Sequence, residues 1–362
     1  MSLTRALSIL VVLTFQIVVC LIPCALPGQV AQAQTSKLPP APPPPKLSTP
    51  KRAAQEIDPG DVIKVDTTEV LLPVTVRDSN ARLVEGLTRK DFRVFEEGIE
   101  QPLSELSLRQ VAVDVVLMVD TSSSVAGNLD DFRQAADGFA KALDPDDRVS
   151  LIQFDDRVVL LQDWTKSRVQ FRRSLNRVVA GMFTRFNDAI VLTAHEQFQR
   201  SSARRAIIIL TDGIDSGRGT TFDIAVQAAL GAQAAIYVIS NIEIERLQKQ
   251  TELTGLLAGP SSAVRFNQLR IDDLRLGLAA LAASERNLKD LTSATGGRLY
   301  EPKSFDDLGQ TYAEVASELR HQYALYYSPV NKARDGQFRR VRVETTTPEY
   351  RISARAGYYA PK

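Results

Sequence analysis

Cysteine and histidine are scarce in this sequence, with two of each among 362 residues. Both cysteines, Cys20 and Cys24, lie near the N-terminus, which weakens a disulfide scaffold, a cysteine protease or a cysteine-ligated zinc site. Two histidines are also too few for a histidine-rich metal centre. Any bound metal would therefore be a hard cation held by oxygen atoms.

The sequence also lacks an excess of charge of either sign. Lys and Arg number 44 and Asp and Glu number 43, so the formal net charge is +1. This balance argues against nucleic acid or an anionic membrane surface as the main partner. The hydrophobic content of 44% and the charged content of 24% are typical of a soluble globular protein, and the length allows two or three domains.

Residues 1–33 have the pattern of a secretory signal peptide. Arg5 precedes the apolar run 7–19, and an A-x-A cleavage site ends at Ala33. Cleavage there would leave a neutral, cysteine-free chain without a membrane span, secreted or located in the periplasm or cell envelope. The alternative is an uncleaved membrane anchor, because the apolar stretch continues to about Leu26.

Residues 34–60 contain eight of the 18 prolines. This composition predicts a disordered linker with extended, polyproline-like stretches rather than a packed core.

Residues 111–322 alternate between strand-like and helix-like patterns. The runs 111–119 and 206–210 are almost entirely apolar, as in strands buried on both faces, and amphipathic helical patterns separate such strands. The alternation predicts an α/β fold, a doubly wound and mostly parallel sheet flanked by helices. Residues 241–283 depart from the spacing and are interpreted as an insertion beside the binding face. The segment 288–294 is predicted to be a helix.

The regions on either side, 61–110 and 323–362, are rich in β-forming residues. They are predicted to combine into one small β-sandwich, with the α/β domain inserted between its two halves. The strand-like segments are 70–76, 92–97, 323–327, 338–345 and 350–358.

Carboxyl and hydroxyl side chains follow the ends of two apolar strands. Asp120, Ser122 and Ser124 follow the first strand, Asp212 follows the second, and Thr184 lies in the loop before an intervening helix. Each motif alone is weak, since Ser and Asp also cap helices and Asp-Gly forms turns. In parallel sheets, however, ligands bind at the carboxyl ends of the strands, so these oxygen donors together predict a site for Mg²⁺ or a similar hard cation.

This order of motifs resembles the von Willebrand factor type A (VWA) domain and its metal-ion-dependent adhesion site (MIDAS). The resemblance implies that Ser122 and Ser124 ligate a divalent cation through their hydroxyls and that Thr184 is the loop threonine. Asp120 and Asp212 would act largely through water and hydrogen bonds. Mg²⁺ is expected, with Mn²⁺ or Ca²⁺ as alternatives, and an Asp or Glu carboxylate of a protein partner would fill the open position.

The threonine loop departs from the Gly-Gly-Thr that is usual in the family, because Met182 and Phe183 precede the threonine. Residues close to the motifs are interpreted as a rim around a bound ligand, namely Arg185, Asp215 and Ser216. The pair Asp155-Asp156 is interpreted as a solvated turn.

The flanking regions resemble an exported bacterial subfamily, the VWFA-related acidobacterial type, and this resemblance covers about residues 61–362. The segments that carry it are Leu87-Thr88-x-x-Asp91-Phe92, Thr295-Gly296-Gly297-Arg298 and Arg355-Ala356-Gly357-Tyr358-Tyr359.

The leading functional interpretation is a non-enzymatic adhesion or protein-binding module. The segments with the candidate ligands contain no His or Cys, and neither G-x-S-x-G nor H-E-x-x-H occurs in the chain. Two alternatives stay open: a hydrolase that uses the same cation as a Lewis acid, and an envelope scaffold whose metal site is vestigial.

Overall fold

The structure is a computed structural model that describes residues 69–108, 111–122, 126–198, 203–217 and 219–362. The chain divides into two units, Met1–Ile63 and Lys64–Lys362. The predicted signal peptide and linker lie outside the described residues.

Fourteen strands and eight α-helices are assigned within these ranges. The strands are β1 (Val70–Arg77), β2 (Phe92–Glu96), β3 (Ile99–Gln101), β4 (Leu103–Leu108), β5 (Val113–Asp120), β6 (Arg148–Phe154), β7 (Val158–Thr165), β8 (Arg204–Thr211), β9 (Ala234–Ser240), β10 (Leu299–Tyr300), β11 (Tyr323–Tyr327), β12 (Phe338–Thr345), β13 (Arg351–Ala354) and β14 (Gly357–Tyr359). The helices are α1 (Leu129–Ala142), α2 (Arg168–Leu175), α3 (Phe186–Glu196), α4 (Phe222–Gly231), α5 (Ile242–Leu257), α6 (Ser261–Phe266), α7 (Gln268–Thr295) and α8 (Leu308–Arg320).

The central sheet has six strands in the order β10-β9-β8-β5-β6-β7. The strands from β10 to β6 are parallel, and β7 pairs antiparallel with β6 at the edge. All eight residues of β5 are buried, which fits the continuous apolar run in its sequence. The predicted doubly wound, mostly parallel sheet is confirmed.

Helices cover both faces of this sheet, and each face has its own apolar core. On one face Phe132 and Phe139 of α1 pack with Tyr312 of α8, with the rings of Phe139 and Tyr312 5.8 Å apart. On the other face Phe186 of α3 and Leu288 of α7 belong to a second core. Because both faces are covered, the edge formed by the strand ends is the place where polar loops can gather.

Strands from the two flanking regions form two four-stranded antiparallel sheets, β13-β1-β11-β4 and β14-β12-β2-β3. Their facing side chains, Leu72, Val94 and Leu325 among them, form a third apolar core. The predicted sandwich of N- and C-terminal strands is therefore present. The single strand predicted over 350–358 is wrong, because the chain turns at Arg355 and Ala356 and enters one sheet as β13 and the other as β14.

Helices α5, α6 and α7 form a helical hairpin after β9. Its arms are antiparallel, as ion pairs of Arg246 with Glu285 and of Arg270 with Glu252 indicate. In α5 only Ile242 and Ile244, at its start, are buried, so most of this arm lies outside the core. The helix predicted over 288–294 is the last part of α7, which is 28 residues long. No helix in the described part of the chain is long and apolar enough to cross a membrane.

Two glycines end α7 and bring it against the sandwich. Gly296 has φ +79°, a conformation that favours glycine, and an added Cβ there would lie 2.6 Å from the carbonyl carbon of Ala354. At Gly297 a Cβ would overlap the carbonyl oxygen of Ile236 in β9. The N–H of Ala356 donates to the carbonyl of Ala294 at 2.8 Å, so the segment 355–359 contacts the chain at the residue directly before the segment 295–298.

Candidate functional site

Asp120 lies at the carboxyl end of β5, where it is fully buried. Its Oδ1 accepts the N–H of Ser122 at 2.9 Å, and its Oδ2 accepts the hydroxyl of Thr211 at 2.7 Å. Because Thr211 ends the neighbouring parallel strand β8, the second bond ties the two strand ends together. Ser122 is buried beside Asp120, whereas Ser124 lies outside the described residues.

Asp212 follows β8 directly and is also buried. Its Oδ1 accepts the N–H of Ile214 at 2.8 Å, and its carbonyl accepts the hydroxyl of Ser284 in α7 at 2.5 Å. Gly213 has φ +68°, and a Cβ there would lie 2.6 Å from the Ser284 hydroxyl. Only glycine therefore fits this turn without moving α7.

Thr184 lies in a third loop, between α2 and α3, and its side chain is buried. Its carbonyl accepts the N–H of Ser216 at 2.8 Å, which joins this loop to the loop after Asp212. The N–H of Gly181 donates to the carbonyl of Thr121 at 2.7 Å, which joins it to the loop after Asp120. The three predicted loops thus meet at one edge of the sheet.

The two residues before Thr184 are apolar and exposed. Met182 is 77% exposed and Phe183 is 61% exposed. Two large apolar side chains thus extend into solvent directly before the loop threonine, beside the candidate site.

Asp120 and Asp212 form an unfavourable pair in the absence of a cation. Burial, and after it the nearby charge of Asp212, raise the pKa of Asp120 from 3.8 to about 7. The hydrogen bonds from Ser122 and Thr211 oppose this effect but do not cancel it. A cation between these loops would relieve the repulsion that the fold imposes.

The predicted rim residues have structural contacts of their own. Asp215 accepts the N–H of Phe186 at 3.1 Å and the side-chain N–H of Asn187 at 2.7 Å, so it fastens the start of α3. Arg185 is exposed and lies 3.6 Å from the Asp188 carboxylate. Ser216 is exposed, and its contact with the Thr184 loop is made by its backbone.

The interpretation of Asp155-Asp156 as a solvated turn is wrong for Asp155, which is buried. Its carboxylate accepts the N–H of Arg157 at 2.9 Å and the Gln153 side chain at 3.1 Å, and it faces the Thr121 hydroxyl at 3.4 Å. A Cβ on Gly181 would overlap this carboxylate. The rule that polar loops gather at the carboxyl ends of parallel strands could have found Asp155, since it directly follows β6.

Sequence reasoning also missed Thr211 and Ser284. Their hydroxyls donate hydrogen bonds to Asp120 and Asp212, respectively. Thr211 could have been found from its place at the end of β8. Ser284 is 72 residues from Asp212, and no spacing signals its contact.

The side chains gathered here suit a hard cation. Asp120, Ser122, Thr184 and Asp212 offer only oxygen atoms, which Mg²⁺ prefers. Within the described ranges no three Asp, Glu, His or Cys side chains are grouped to hold a metal by themselves. A cation at this edge would thus depend on hydroxyl oxygens as well as carboxylates.

The sheet is mostly parallel, helices cover both of its faces, and carboxyl and hydroxyl oxygens gather at one edge. These features define a doubly wound α/β domain with a candidate cation site. Residues 115–214 match the family model described as the von Willebrand factor type A domain. The chain therefore contains a VWA domain, which confirms the resemblance seen in its motifs. A comparison with curated proteins gives no match.

Several solved structures are similar to parts of the chain. Protein BatB from Bacteroides thetaiotaomicron is 23% identical, with a TM-score of 0.31, over 36% of this chain and 66% of that one. An aerotolerance-related membrane protein from Bacteroides fragilis is 15% identical, with a TM-score of 0.39, over 57% and 99%. Proximal thread matrix protein 1 from the mussel byssus, with a zinc-occupied MIDAS motif, is 16% identical, with a TM-score of 0.42, over 63% and 50%. The chain thus spans only part of the BatB and mussel structures.

Proposed function

We propose that this protein is a metal-dependent binding module that captures an Asp or Glu carboxylate of a protein partner. The observation that carries the proposal is the buried pair of carboxylates, Asp120 and Asp212, held at one edge of the sheet by fixed hydrogen bonds. A desolvated acid whose pKa is raised further by the charge of a second buried acid is costly to keep ionised unless a cation is bound nearby.

The hydroxyls of Ser122 and Thr184 would hold the cation directly, together with Ser124, whose assignment rests on the motif alone. Asp120 and Asp212 would act through water, since their oxygens also accept hydrogen bonds from Thr211 and Ile214. When bound, Mg²⁺ supplies a coordination position that a carboxylate oxygen from outside can fill. With neutral direct ligands, that position keeps a strong attraction for an anion.

Three exposed side chains beside Thr184 support a protein as the partner. Met182 and Phe183 offer apolar contact area, and Arg185 offers a positive charge next to it. An acidic side chain on a protein surface with apolar neighbours matches this combination. Asp215 and Ser216 lie on the same loop cluster and complete the proposed rim.

The proposal extends to location and class. The signal-peptide pattern of residues 1–33 supports export, and with it a location in the periplasm, cell envelope or medium. The three flanking sequence segments described above support membership of the acidobacterial-type subfamily. The absence of His and Cys from the motif segments supports a binding role rather than catalysis.

Metal binding and partner capture test the proposal in turn. Titration calorimetry should detect Mg²⁺ binding to the wild type and a loss of at least about tenfold in affinity for Asp120→Ala, with the exposed Asp290→Ala as the matched control. The immobilised protein should then retain a partner from envelope extract in Mg²⁺ but not in EDTA, and Asp120→Ala should retain none.

Capture that is unaffected by EDTA and by Asp120→Ala would contradict the proposal and favour the scaffold alternative. Metal-dependent turnover of a panel of ester, peptide and phosphate substrates would favour the hydrolase instead.

A further inference from the structure

The helical hairpin extends beyond the edge of the sheet that carries the candidate metal site. The Ser284 hydroxyl of α7 contacts Asp212 at that edge, and the sixteen residues of α7 before Ser284 continue for about 24 Å along the helix axis. Helix α5 leaves the same edge directly after β9 and accompanies α7, as the ion pair of Arg270 with Glu252 indicates. The hairpin therefore projects from the sheet beside the candidate site.

One side of α7 in the hairpin is apolar and exposed. Ala280, Leu276 and Leu269 precede Ser284 by four, eight and fifteen residues, so they lie within about 80° of Ser284 around the helix axis. Leu269 is 87% exposed, Leu276 is 71% exposed and Ala280 is exposed as well, whereas Leu274 on another side of the helix is buried. Nothing in the described part of the chain covers this apolar side.

A carboxylate lies on the same side of the hairpin. Asp273 precedes Ser284 by eleven residues, and its side chain is 72% exposed. It contacts Arg270 at 3.1 Å, but Arg270 makes two shorter bonds to the Glu252 carboxylate, at 2.6 Å and 2.7 Å. Because exposed ion pairs contribute little to stability, Asp273 can exchange Arg270 for another cation at a small cost.

These hairpin features complement the exposed side chains at the candidate site. Met182 and Phe183 offer apolar area there and Arg185 offers a positive charge, which suits a carboxylate flanked by leucines. Asp273 cannot reach the site of its own chain, because it lies about 16 Å from Ser284 along a stiff helix. A second copy of the chain can supply it.

We propose that two copies of this chain pair about a two-fold axis, with Asp273 of each copy binding the cation at the candidate site of the other. The inference rests on the proposed function and names a second copy as the partner. With the axis midway between Ser284 and Asp273, the two α7 helices run antiparallel, and Asp273 of one copy lies level with Ser284 of the other. Leu276 of one copy then packs near Ala280 of the other, where a small residue allows close approach of the helices.

Sedimentation equilibrium of the full chain tests this pairing. In Mg²⁺ the mass should rise with concentration from one chain to two and stop there, and in EDTA it should stay at one chain. Asp273→Asn and Leu276→Ser, both at exposed positions, should each raise the dissociation constant of the pair at least about tenfold. The matched control Asp290→Asn, at an exposed position of α7 beyond Ser284, should leave it unchanged.

A mixture of two impaired variants tests the reciprocal contact. Asp120→Ala loses the cation site but keeps Asp273, and Asp273→Asn loses the carboxylate but keeps the cation site, so neither should pair with itself. Mixed in Mg²⁺, the two variants should associate more than either one alone, through the one contact that stays intact. A mixture that associates no more than the separate variants would refute the proposal.

Calorimetry with Mg²⁺ separates a failure of this pairing from a failure of the proposed function. If the wild type binds Mg²⁺ and captures an envelope partner but stays monomeric, the assignment of a second copy is wrong and the proposed function stands. If the wild type binds no Mg²⁺, both are wrong. Association that persists in EDTA or in Asp273→Asn, or a mass that grows beyond two chains, would also overturn the reciprocal pair.

Discussion

Replacing Asp120 by asparagine should change how the stability of the metal-free protein depends on pH. The substitution keeps the size of the buried side chain and removes its ionisation. A hydrogen bond lost to Ser122 or Thr211 would lower stability by the same amount at every pH. Any difference in pH dependence between the two proteins therefore reports the ionisation of Asp120.

The expected size and sign come from the two pKa values of this carboxyl. In the folded chain the pKa is raised to about 7, chiefly by burial and then by the charge of Asp212, and in the unfolded chain it is close to 3.8. Between these values the unfolded state has released the proton while the folded state still holds it. Stability therefore falls as pH rises, and this loss is complete above about pH 7. At about 1.4 kcal/mol per pH unit, the loss between pH 5 and pH 8 is about 3 kcal/mol.

Urea unfolding followed by circular dichroism in EDTA, at pH 5, 6, 7 and 8, measures this effect. The wild type should lose about 3 kcal/mol relative to Asp120→Asn over that range, and Asp290→Asn, changed at an exposed position of α7, should behave as the wild type. Parallel pH curves for the wild type and Asp120→Asn would show that burial and the charge of Asp212 do not raise the pKa of Asp120 as argued. Mg²⁺ should restore the lost stability at pH 8 in the wild type alone, because it binds the ionised form.

Three further predictions concern single positions. Thr184→Ala should weaken Mg²⁺ binding about tenfold in calorimetry on the folded variant, whereas the exposed Thr254→Ala should not. Equal affinities would remove Thr184 from the site. In urea unfolding, Gly297→Ala should lower the free energy of unfolding by more than about 3 kcal/mol, because its Cβ would overlap a backbone carbonyl of β9. Gly255→Ala, which has open space around it, should instead stabilise α5 by up to about 1 kcal/mol. An unchanged stability of Gly297→Ala would contradict the close approach of Gly297 to β9. Phe266→Ser at the hairpin tip, where the side chain is 89% exposed, should change the stability to urea by less than about 0.5 kcal/mol, and a larger loss would mean that this side chain is packed.

Local sequence patterns were sufficient for most strands. The predicted strand 338–345 coincides with β12, and the continuous apolar run 111–119 corresponds to β5 within two residues at its start. Period and composition carry this information because a strand buried on both faces needs apolar residues at every position. The division of 350–358 into β13 and β14 was not predictable in this way, because both halves of the segment favour a strand. The turn between them is set by pairing with two different sheets, which local sequence does not record.

The candidate site shows the same limit. Asp120, Ser122, Thr184 and Asp212 could be predicted because strand ends and short motifs mark them in the sequence. The polar neighbours of Asp155 indicate a solvated turn, yet the Gly181 loop covers its carboxylate and the Thr121 hydroxyl faces it. Burial of such a residue depends on a loop some 26 positions away, which no local pattern records.

One helix links the candidate metal edge to the sandwich. The Ser284 hydroxyl of α7 donates to the carbonyl of Asp212, and about 15 Å further along the helix the carbonyl of Ala294 accepts the N–H of Ala356. Because an α-helix is stiff over that length, the position of the Asp212 loop depends on how the end of α7 packs against the turn between β13 and β14. The same turn carries Arg355, whose guanidinium donates to the carbonyl of Leu71 in β1 at 2.8 Å. The turn between β13 and β14 thus holds the helix that contacts one of the two buried aspartates, which is a physical reason for the C-terminal sandwich strands to follow the α/β domain.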